Sequence, residues 1–599
     1  MVEKKKVPIN YTSRDFNTIK ESLVEYAKRY YPNNFKDFNE ASFGSLMLDT
    51  VAYVGDILSF YLDYQANESF LDTALEYNNV IKHSRQLGYK FTGAPTAVGE
   101  VSFFVLVPAN SAGTAVDADY YPKLKRGSTV FSTAGTSYLL IEDIDFSKTT
   151  NEIIVSNVNS TTGVPTYFAV KAKGRVISGE LKFVEAEIGE YERFKKVTID
   201  DSNVSEIISV VDSEGNSYFE VDYLSQEIVY SEVDNPSNSD SEFAPKIMKP
   251  IAVPRRFIVH REAGETTLQF GHGSESDDTA DLIVDPSNVL MDIHGKDYIS
   301  DKTFDPYNFL TSDKLGVAPS NTTLTVVYRS NNSTSLNAPV NTVTQTGDVN
   351  IEFKNPVDLD GSQKKTIVES LEVTNEEPIC GDTKYVNSEE LKQRAYGAFY
   401  SQNRAVTAED YKVLVYSMPP QFGSVKRCNL IQDSDSFKRN LNLYVISEGA
   451  GGFLIESNSY IKQNLKIWLN RNRMINDTID ILDAKIINFA IDFDVIAERG
   501  VNKHDLLDRC IRALREEFNI LPDIGESFSI TKLYKVLNLV PGVVDTKRVE
   551  VFQKNGGKYS DIRFNTKSNT SSDGRFISIP KNAIYEIKYP NQDIRGTIR

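Results

Sequence analysis

Cysteine, histidine and tryptophan are scarce in this sequence. Its 599 residues include three cysteines, five histidines and one tryptophan. Cys380, Cys428 and Cys510 lie far apart and form no CxxC spacing, so the sequence predicts neither a zinc site nor a disulfide framework. The histidines form no HExxH motif and no pair at ligand spacing. We therefore expect no metal and no other cofactor, and a reducing cytoplasm is the simplest compartment.

Positive charge is also in deficit. The 66 Lys and Arg residues are outnumbered by 83 Asp and Glu residues, which gives a formal net charge of −17. A sequence-independent grip on nucleic acid needs clustered basic side chains that neutralise phosphates. We therefore expect no nucleic-acid partner.

No segment has the pattern of a secretory signal or of a membrane span. The first residues, MVEKKKVPINYTS, are basic but have no apolar core behind them. The most hydrophobic segment, residues 43–62, contains Asp49 and Asp56, whose burial in a bilayer would be costly. The sequence therefore predicts no membrane partner.

One stretch, QNRAVTAEDYKVLV, gathers residues that also occur in active sites, namely Arg404, Thr407, Glu409 and Asp410. Thr407 and Asp410 have the spacing of a capping box, and Glu409 adds negative charge in the first turn of a helix. Starting a helix therefore explains all of these residues except Arg404. We interpret the stretch as structural.

Two other patterns could carry chemistry. The GAGG stretch at residues 449–452, between a predicted strand and a predicted helix, lacks the third glycine of a dinucleotide fingerprint and the Gly-Lys-Ser/Thr of a P-loop. Glu185 and Glu187 would lie on one face of a strand, and paired carboxylates hydrolyse glycosidic bonds. On an acidic protein a solvated strand face is the simpler explanation, so we expect no enzyme.

Hydrophobic periodicity predicts an α+β multidomain fold in three parts. Residues 1–92 form an N-terminal helical region, in which Thr12 or Ser13 caps the first helix. Residues 93–380 form a β-rich middle of more than one module, because β-branched and aromatic runs alternate with turns. Residues 381–599 alternate helices and strands, which predicts an α+β sandwich with helices on one face of a sheet.

A long apolar stripe is the most distinctive feature of the helical region. It consists of Phe43, Leu46, Met47, Val51, Val54, Leu58, Tyr61 and Leu62. The stripe predicts either a helix buried within its own domain or a helix that packs against another chain. The second interpretation gains weight because so short a region has little core of its own to offer.

Several segments together resemble one family. They are YTSRDF, ASFGSLMLDTVAYVGDILSFYLDYQANESFLDTA, SRQLGY, FGHG, QNRAVTAEDYKVLV, PGVV and YEIKYPNQDIRG. The chain is similar to the baseplate wedge proteins of contractile-tailed bacteriophages, especially the T-even-type large wedge subunit within the baseplate J-like group. The matching family signature in this sequence comprises Arg404, Val406, Thr407, Asp410 and Tyr411. The region of about 150–250 has no counterpart in this resemblance.

The resemblance implies a non-enzymatic virion protein of the tail baseplate, assembled in the host cytoplasm. It implies a homodimer that joins through the C-terminal and middle regions into a ring around the tail hub. The N-terminal helices would bundle with other wedge subunits, hub proteins would lie nearby, and interfaces would change when the sheath contracts. Segments near 90–97 and 381–388 are candidate hinges for that change.

Alternative functions remain open at this point. A non-phage contractile injection system would use a very similar baseplate protein. A glycan-binding tail protein is suggested by the 31 tyrosines of the chain. A tail-associated glycosidase would rely on Glu185 and Glu187.

Overall fold

A computed structural model describes residues 15–30, 39, 42–91, 93–161, 163–234, 246–262, 264–274, 315–331, 335–354, 356, 359–383, 386–433, 440–518 and 521–599. It confirms the α+β multidomain class, with helices first, a β-rich middle and mixed elements at the end.

The chain divides into two compact units. One comprises Met1–Phe91 and Val386–Phe399, and the other comprises Thr92–Tyr385 and Tyr400–Arg599. The chain passes from one unit to the other after Phe91 and again after Tyr385, and both points fall within the candidate hinge segments. Hinge motion, and the domain limits 1–92, 93–380 and 381–599, stay predictions.

The first unit contains three N-terminal helices: α1 (Phe16–Tyr30), α2 (Phe43–Glu68) and α3 (Tyr77–Gln86). The predicted caps Thr12 and Ser13 lie outside the described residues. Helix α1 begins only at Phe16, and the Asp15 carboxylate takes the capping position by accepting the Thr18 amide at 3.2 Å.

The β-rich middle holds nineteen strands in the described ranges, together with the helix α4 (Gly361–Glu369). The strands are β1 (Val98–Pro108), β2 (Pro122–Leu124), β3 (Thr129–Ser132), β4 (Ser137–Leu140), β5 (Ile144–Asp145), β6 (Glu152–Val158), β7 (Pro165–Ser178), β8 (Glu180–Ile188), β9 (Lys196–Ile199), β10 (Val204–Asp212), β11 (Ser217–Glu220), β12 (Ile228–Asp234), β13 (Lys246–Ala252), β14 (Arg256–Glu262), β15 (Glu265–Phe270), β16 (Thr322–Ser330), β17 (Val343–Thr346), β18 (Ile351–Phe353) and β19 (Glu372–Thr374).

Two seven-stranded sheets organise this middle. The first has the order β17-β3-β4-β7-β1-β19, with β6 also paired to β7. Strands β1 and β7 pair over eleven residues, from Val98 opposite Ile177 to Pro108 opposite Tyr167. The second sheet has the order β8-β16-β10-β11-β14-β15-β9. Each sheet has its own buried cluster of apolar side chains, so the middle contains more than one core.

The C-terminal part alternates helices and strands. Its helices are α5 (Ser388–Ser401), α6 (Ala408–Tyr416), α7 (Ser459–Asn470), α8 (Lys503–Glu517), α9 (Ile530–Asn538) and α10 (Pro590–Asp593). Its strands are β20 (Arg427–Gln432), β21 (Asn440–Glu448), β22 (Leu454–Ile455), β23 (Thr478–Asp483), β24 (Lys485–Ala497), β25 (Phe528–Ser529), β26 (Val543–Lys554), β27 (Phe576–Ile577), β28 (Ala583–Glu586) and β29 (Ile594–Ile598).

Strand β24 is the centre of the last sheet. It pairs with β26 in antiparallel and with β28 and β29 in parallel. Helices α8 and α9 pack against this sheet through Leu506, Cys510, Leu514, Leu533 and Leu537, all of which are buried. Burial raises the pKa of the Cys510 thiol to about 11, so this cysteine acts as a small apolar side chain.

Candidate assembly surface

Helix α2 starts with a polar cap and has one covered side. The Ser42 hydroxyl accepts the Ser45 amide at 3.1 Å. Small residues let α1 approach closely, because Ala52 is fully buried and a side chain at Gly55 would meet Ile19 of α1 at 3.4 Å.

An ion pair joins the same two helices, between Lys20 Nζ of α1 and an Asp49 carboxylate oxygen of α2 at 2.7 Å. Among the described residues, much of the remaining circumference of α2 is exposed.

The eight predicted partner-binding residues all lie on this open surface. Their side chains range from 48 % exposed at Val54 to 75 % exposed at Phe43. They are Phe43, Leu46, Met47, Val51, Val54, Leu58, Tyr61 and Leu62. Large apolar side chains side by side in water are unusual for a folded chain on its own, and such patches occur where a protein contacts a partner, a ligand or a membrane.

Sequence reasoning missed two large aromatics of the same helix. Tyr53 is 59 % exposed and Phe60 is 60 % exposed. They lie close to Leu46 when the helix is viewed along its axis, about a third of a turn from Val54 and nearly half a turn from Leu58. The signal that could have found them is a repeat of seven residues, since Leu46, Tyr53 and Phe60 are spaced seven apart.

The far end of α2 is fixed by the Glu68 carboxylate. It accepts hydrogen bonds from the Leu75 amide at 2.8 Å and from Asn79 Nδ2 at 2.9 Å. Burial acts to raise the pKa of Glu68, but these bonds and one from the Glu76 amide hold it below its ordinary value. The charged carboxylate thus organises the turn into α3.

Helix α5 completes the core of this unit from much later in the sequence. Its Leu391 and Ala395 are buried in one cluster with side chains of the α2–α3 region, namely Leu71, Ala74, Val80, Ile81 and Tyr89. The Lys392 ammonium donates to the Asp72 carbonyl at 3.2 Å, and the Tyr396 hydroxyl donates to the Asp72 carboxylate at 2.8 Å. The segment that follows α2 is therefore held in a packed core shared with α5.

Length and composition alone would also allow α2 to span a membrane. Asp49, Asp56 and Asp63 stand against that role because each would lie within the apolar span. That α2 is not a membrane span stays a prediction.

Thr407 and Asp410 form the predicted capping box. The Thr407 hydroxyl accepts the Asp410 amide at 3.2 Å, and the Asp410 carboxylate accepts the Thr407 amide at 2.8 Å and the Val406 amide at 3.2 Å. Burial acts to raise the pKa of Asp410, but these hydrogen bonds and the Arg404 charge lower it. The capping interpretation of Thr407 and Asp410 is confirmed.

Tyr411 anchors this helix start inside the second unit. Its ring is buried, its hydroxyl donates to the Asp477 carboxylate at 2.7 Å, and burial raises its pKa. Arg404 and Val406 are exposed. The arrangement positions the start of a helix.

The other candidates for chemistry are also placed. Glu185 and Glu187 are exposed on β8, opposite Thr325 and Thr323. The GAGG turn leads into the short strand β22 and not into a helix, because the Gly449 amide bonds back to the Phe453 carbonyl at 2.8 Å. In the described part of the chain no three His, Cys, Asp or Glu residues cluster as metal ligands would.

Comparison with known proteins gives one family match. Residues 15–86 match the model of the bacteriophage baseplate protein, N-terminal domain. The matched segment contains α1, α2 and α3, which carry the open apolar surface. It supports a structural role in a baseplate for this part of the chain.

Among solved structures, the chain is similar to a chain of the anti-feeding prophage baseplate determined by cryo-electron microscopy with six-fold symmetry. The two chains are 9 % identical, the match covers 96 % of this chain and 90 % of that chain, and the TM-score is 0.25. Because the TM-score is so low, no conclusion about fold or function rests on this similarity. No curated protein sequence matches the chain.

Proposed function

We propose that this protein is a non-enzymatic structural subunit of the baseplate wedge in a contractile phage tail. The observation that carries the proposal is the open apolar surface of α2 within a segment that matches a baseplate N-terminal domain. A helix with this surface is an assembly element, and the described residues provide no competing catalytic arrangement.

The size of the surface agrees with a role in assembly. Complete burial of about ten half-exposed large apolar side chains would contribute on the order of 10 kcal/mol. Association costs roughly 4 to 15 kcal/mol in lost translational and rotational freedom. The two amounts are comparable, so the surface can hold subunits together when it is covered over most of its length.

The finer parts of the proposal come from the resemblance of the sequence. Two copies associate through their C-terminal and middle regions and contribute to a ring around the tail hub. The N-terminal helices bind other wedge subunits, and the interfaces rearrange when the sheath contracts. A baseplate of a non-phage contractile injection system would use the same surface in the same way.

Co-expression with the neighbouring tail genes, followed by native mass spectrometry, tests the proposal. We expect complexes that contain more than one subunit type and more than one copy of this chain. Leu58→Glu should abolish the subunit contact made by α2, because it places a charge in the centre of the apolar surface.

A matched control is Ile475→Glu. Ile475 is 97 % exposed and lies in the second unit, outside α2. It should leave the subunit contact made by α2 intact, because it lies outside that helix. A chain that stays monomeric with all neighbouring gene products present would refute the proposed function.

A further inference from the structure

The sequence of α2 repeats every seven residues along its whole length. Asp49, Asp56 and Asp63 form one line, and the small residues Ser45, Ala52, Ser59 and Ala66 form another. A seven-residue repeat keeps each line on the same side of the helix when helices coil around one another with a left-handed twist. The pattern therefore indicates coiled-coil packing on more than one side.

Two open lines of residues satisfy the three-four spacing of a coiled-coil seam. We call the first the aspartate-flanked seam: Phe43, Leu46, Thr50, Tyr53, Ile57, Phe60 and Tyr64. We call the second the neutral seam: Met47, Val51, Val54, Leu58 and Tyr61. Most of these side chains are exposed, whereas Ser45 and Ala52 of the small-residue line are buried.

The three aspartates lie along one border of the aspartate-flanked seam. Each occupies the position directly before Thr50, Ile57 or Tyr64. In a coiled coil this flanking position meets a flanking residue of the partner helix and decides which partner is accepted. Asp49 is already paired with Lys20 of α1. Asp56 and Asp63 have no ion-pair partner within the described part of the chain.

A second copy of α2 fits this seam poorly in either direction. In a parallel pair, the aspartates would face the partner's Met47, Val54 and Tyr61, which occupy the opposite flanking position and offer no positive charge. In an antiparallel pair, aspartate would face aspartate, which is repulsive. The charge pattern therefore selects a different kind of helix.

We propose that the aspartate-flanked seam binds a helix of another subunit that carries Lys or Arg at every seventh position. Those basic side chains pair with Asp56 and Asp63, set the register, and exclude a second copy of α2 from this side. The proposal rests on the proposed function, because it specifies the chemistry of the subunit that α2 binds.

Two designed peptides of five heptads test the proposal with the full chain. Both have Ile and Leu in the seam positions; one has Lys and the other has Glu in both flanking positions. We expect the Lys peptide to bind at least tenfold more tightly in fluorescence anisotropy at low salt. The preference should shrink at 1 M salt, where charges are screened within about 3 Å.

Asp56→Lys with Asp63→Lys should reverse the preference, so that the Glu peptide binds more tightly. Glu21→Lys with Glu25→Lys is the control, because it changes the net charge equally on exposed positions of α1. Asp56→Asn with Asp63→Asn should leave both peptides bound with a preference reduced several-fold. This neutral variant keeps the apolar residues of the seam and shows whether the peptide preference depends on the negative charges.

Equal binding of the two peptides, or an unchanged preference in the Lys variant, would overturn the charge assignment while the proposed function stands. Binding of neither peptide would overturn the assignment of the seam, and the co-expression complexes would decide the proposed function separately. Two other results would also overturn the proposal: the chain dimerises, or it partitions into phosphatidylcholine vesicles, and Phe60→Glu abolishes that dimerisation or partition.

Discussion

Helices α2 and α8 show the same kind of apolar periodicity and have opposite fates. In α8, the side chains of Leu506, Cys510 and Leu514 are fully buried against the last sheet. In α2, the equivalent stripe is largely exposed. Helix α8 has a sheet beside it in its own chain and is covered by that sheet. Helix α2 packs against α1 on one side, and its apolar stripe stays open among the described residues. Periodicity thus predicts a helix, but the surrounding chain decides whether the stripe belongs to a core or to an interface.

The largest expected effect lies in the covered helix. Leu514→Ala should lower the free energy of unfolding by about 2 to 5 kcal/mol, because it opens a cavity in a packed core. Urea unfolding followed by far-ultraviolet circular dichroism measures the loss. A loss below about 1 kcal/mol would mean that α8 is not held by its apolar stripe, and the contrast with α2 would fail.

The same deletion in the open helix should act on association and not on folding. Leu58→Ala should change the unfolding free energy of the lone chain by less than about 0.5 kcal/mol, as is usual for exposed positions. It should weaken the subunit complex by about 1 to 2 kcal/mol, because apolar area that the complex buries is removed. Titration calorimetry with the purified partner subunit checks the second value. Equal losses in both assays would show that α2 is covered within its own chain.

The capping box at Thr407 gives a smaller test of the difference between residues that stabilise the fold and residues that hold subunits together. Thr407→Ala should destabilise the second unit by about 1 kcal/mol through loss of the cap, whereas Thr407→Ser should retain it. The single tryptophan, Trp468, reports this region because its indole N–H donates to the Leu414 carbonyl of α6 at 2.8 Å. If the complexes stay intact with both variants, Thr407 contributes to folding and not to a subunit contact. Loss of assembly with Thr407→Ala but unchanged Trp468 unfolding would place it in an interface.

Two carboxylates should respond to pH in opposite directions. The pKa of Glu68 is lowered, so its contribution is present above its unfolded pKa and is lost as pH falls through the folded value. Burial raises the pKa of Glu586, which has its backbone and side-chain partners at Leu454 and Asn488. Its contribution is present below the unfolded pKa and is lost as pH rises through the folded value.

We therefore expect the advantage of the natural chain over Glu68→Gln to shrink on acidification from pH 7 to below pH 4. The advantage over Glu586→Gln should shrink when pH rises from about 4. Hydrogen exchange of peptides around each site measures both effects, which should be small. The same pH trend at both sites would contradict the assignment.

Features that depend on local sequence patterns could be predicted from the sequence. The capping box at Thr407 and the strand periodicity of β24 are visible because each depends on neighbours in the chain. Strand order is not visible, since the parallel pairing of β24 with β29 joins segments about a hundred residues apart. The same holds for α5, whose Leu391 completes a core begun before residue 92.

The candidate surface was predicted in part, for a physical reason. The eight apolar residues were selected as one stripe, which implied one partner side. Tyr53 and Phe60 were overlooked because they lie at the edge of that stripe, beside Leu46 and far from Leu58. The sequence did not settle which polar residue of YTSRDF caps the first helix, because several of them could serve. Asp15 was expected to complement the first-turn amides, and its carboxylate accepts the Thr18 amide.

The late arrival of α5 has a consequence during protein synthesis. About 300 residues separate Ile81 from Leu391, its companion in the buried cluster. At roughly 5 to 20 residues per second, a ribosome needs on the order of 15 to 60 s to cover that distance. Throughout this interval the nascent chain carries α2 without its finished support. The unit that contains α2 is thus incomplete until α5 has been made, so newly made chains are open to aggregation unless a chaperone or the partner subunit binds them first.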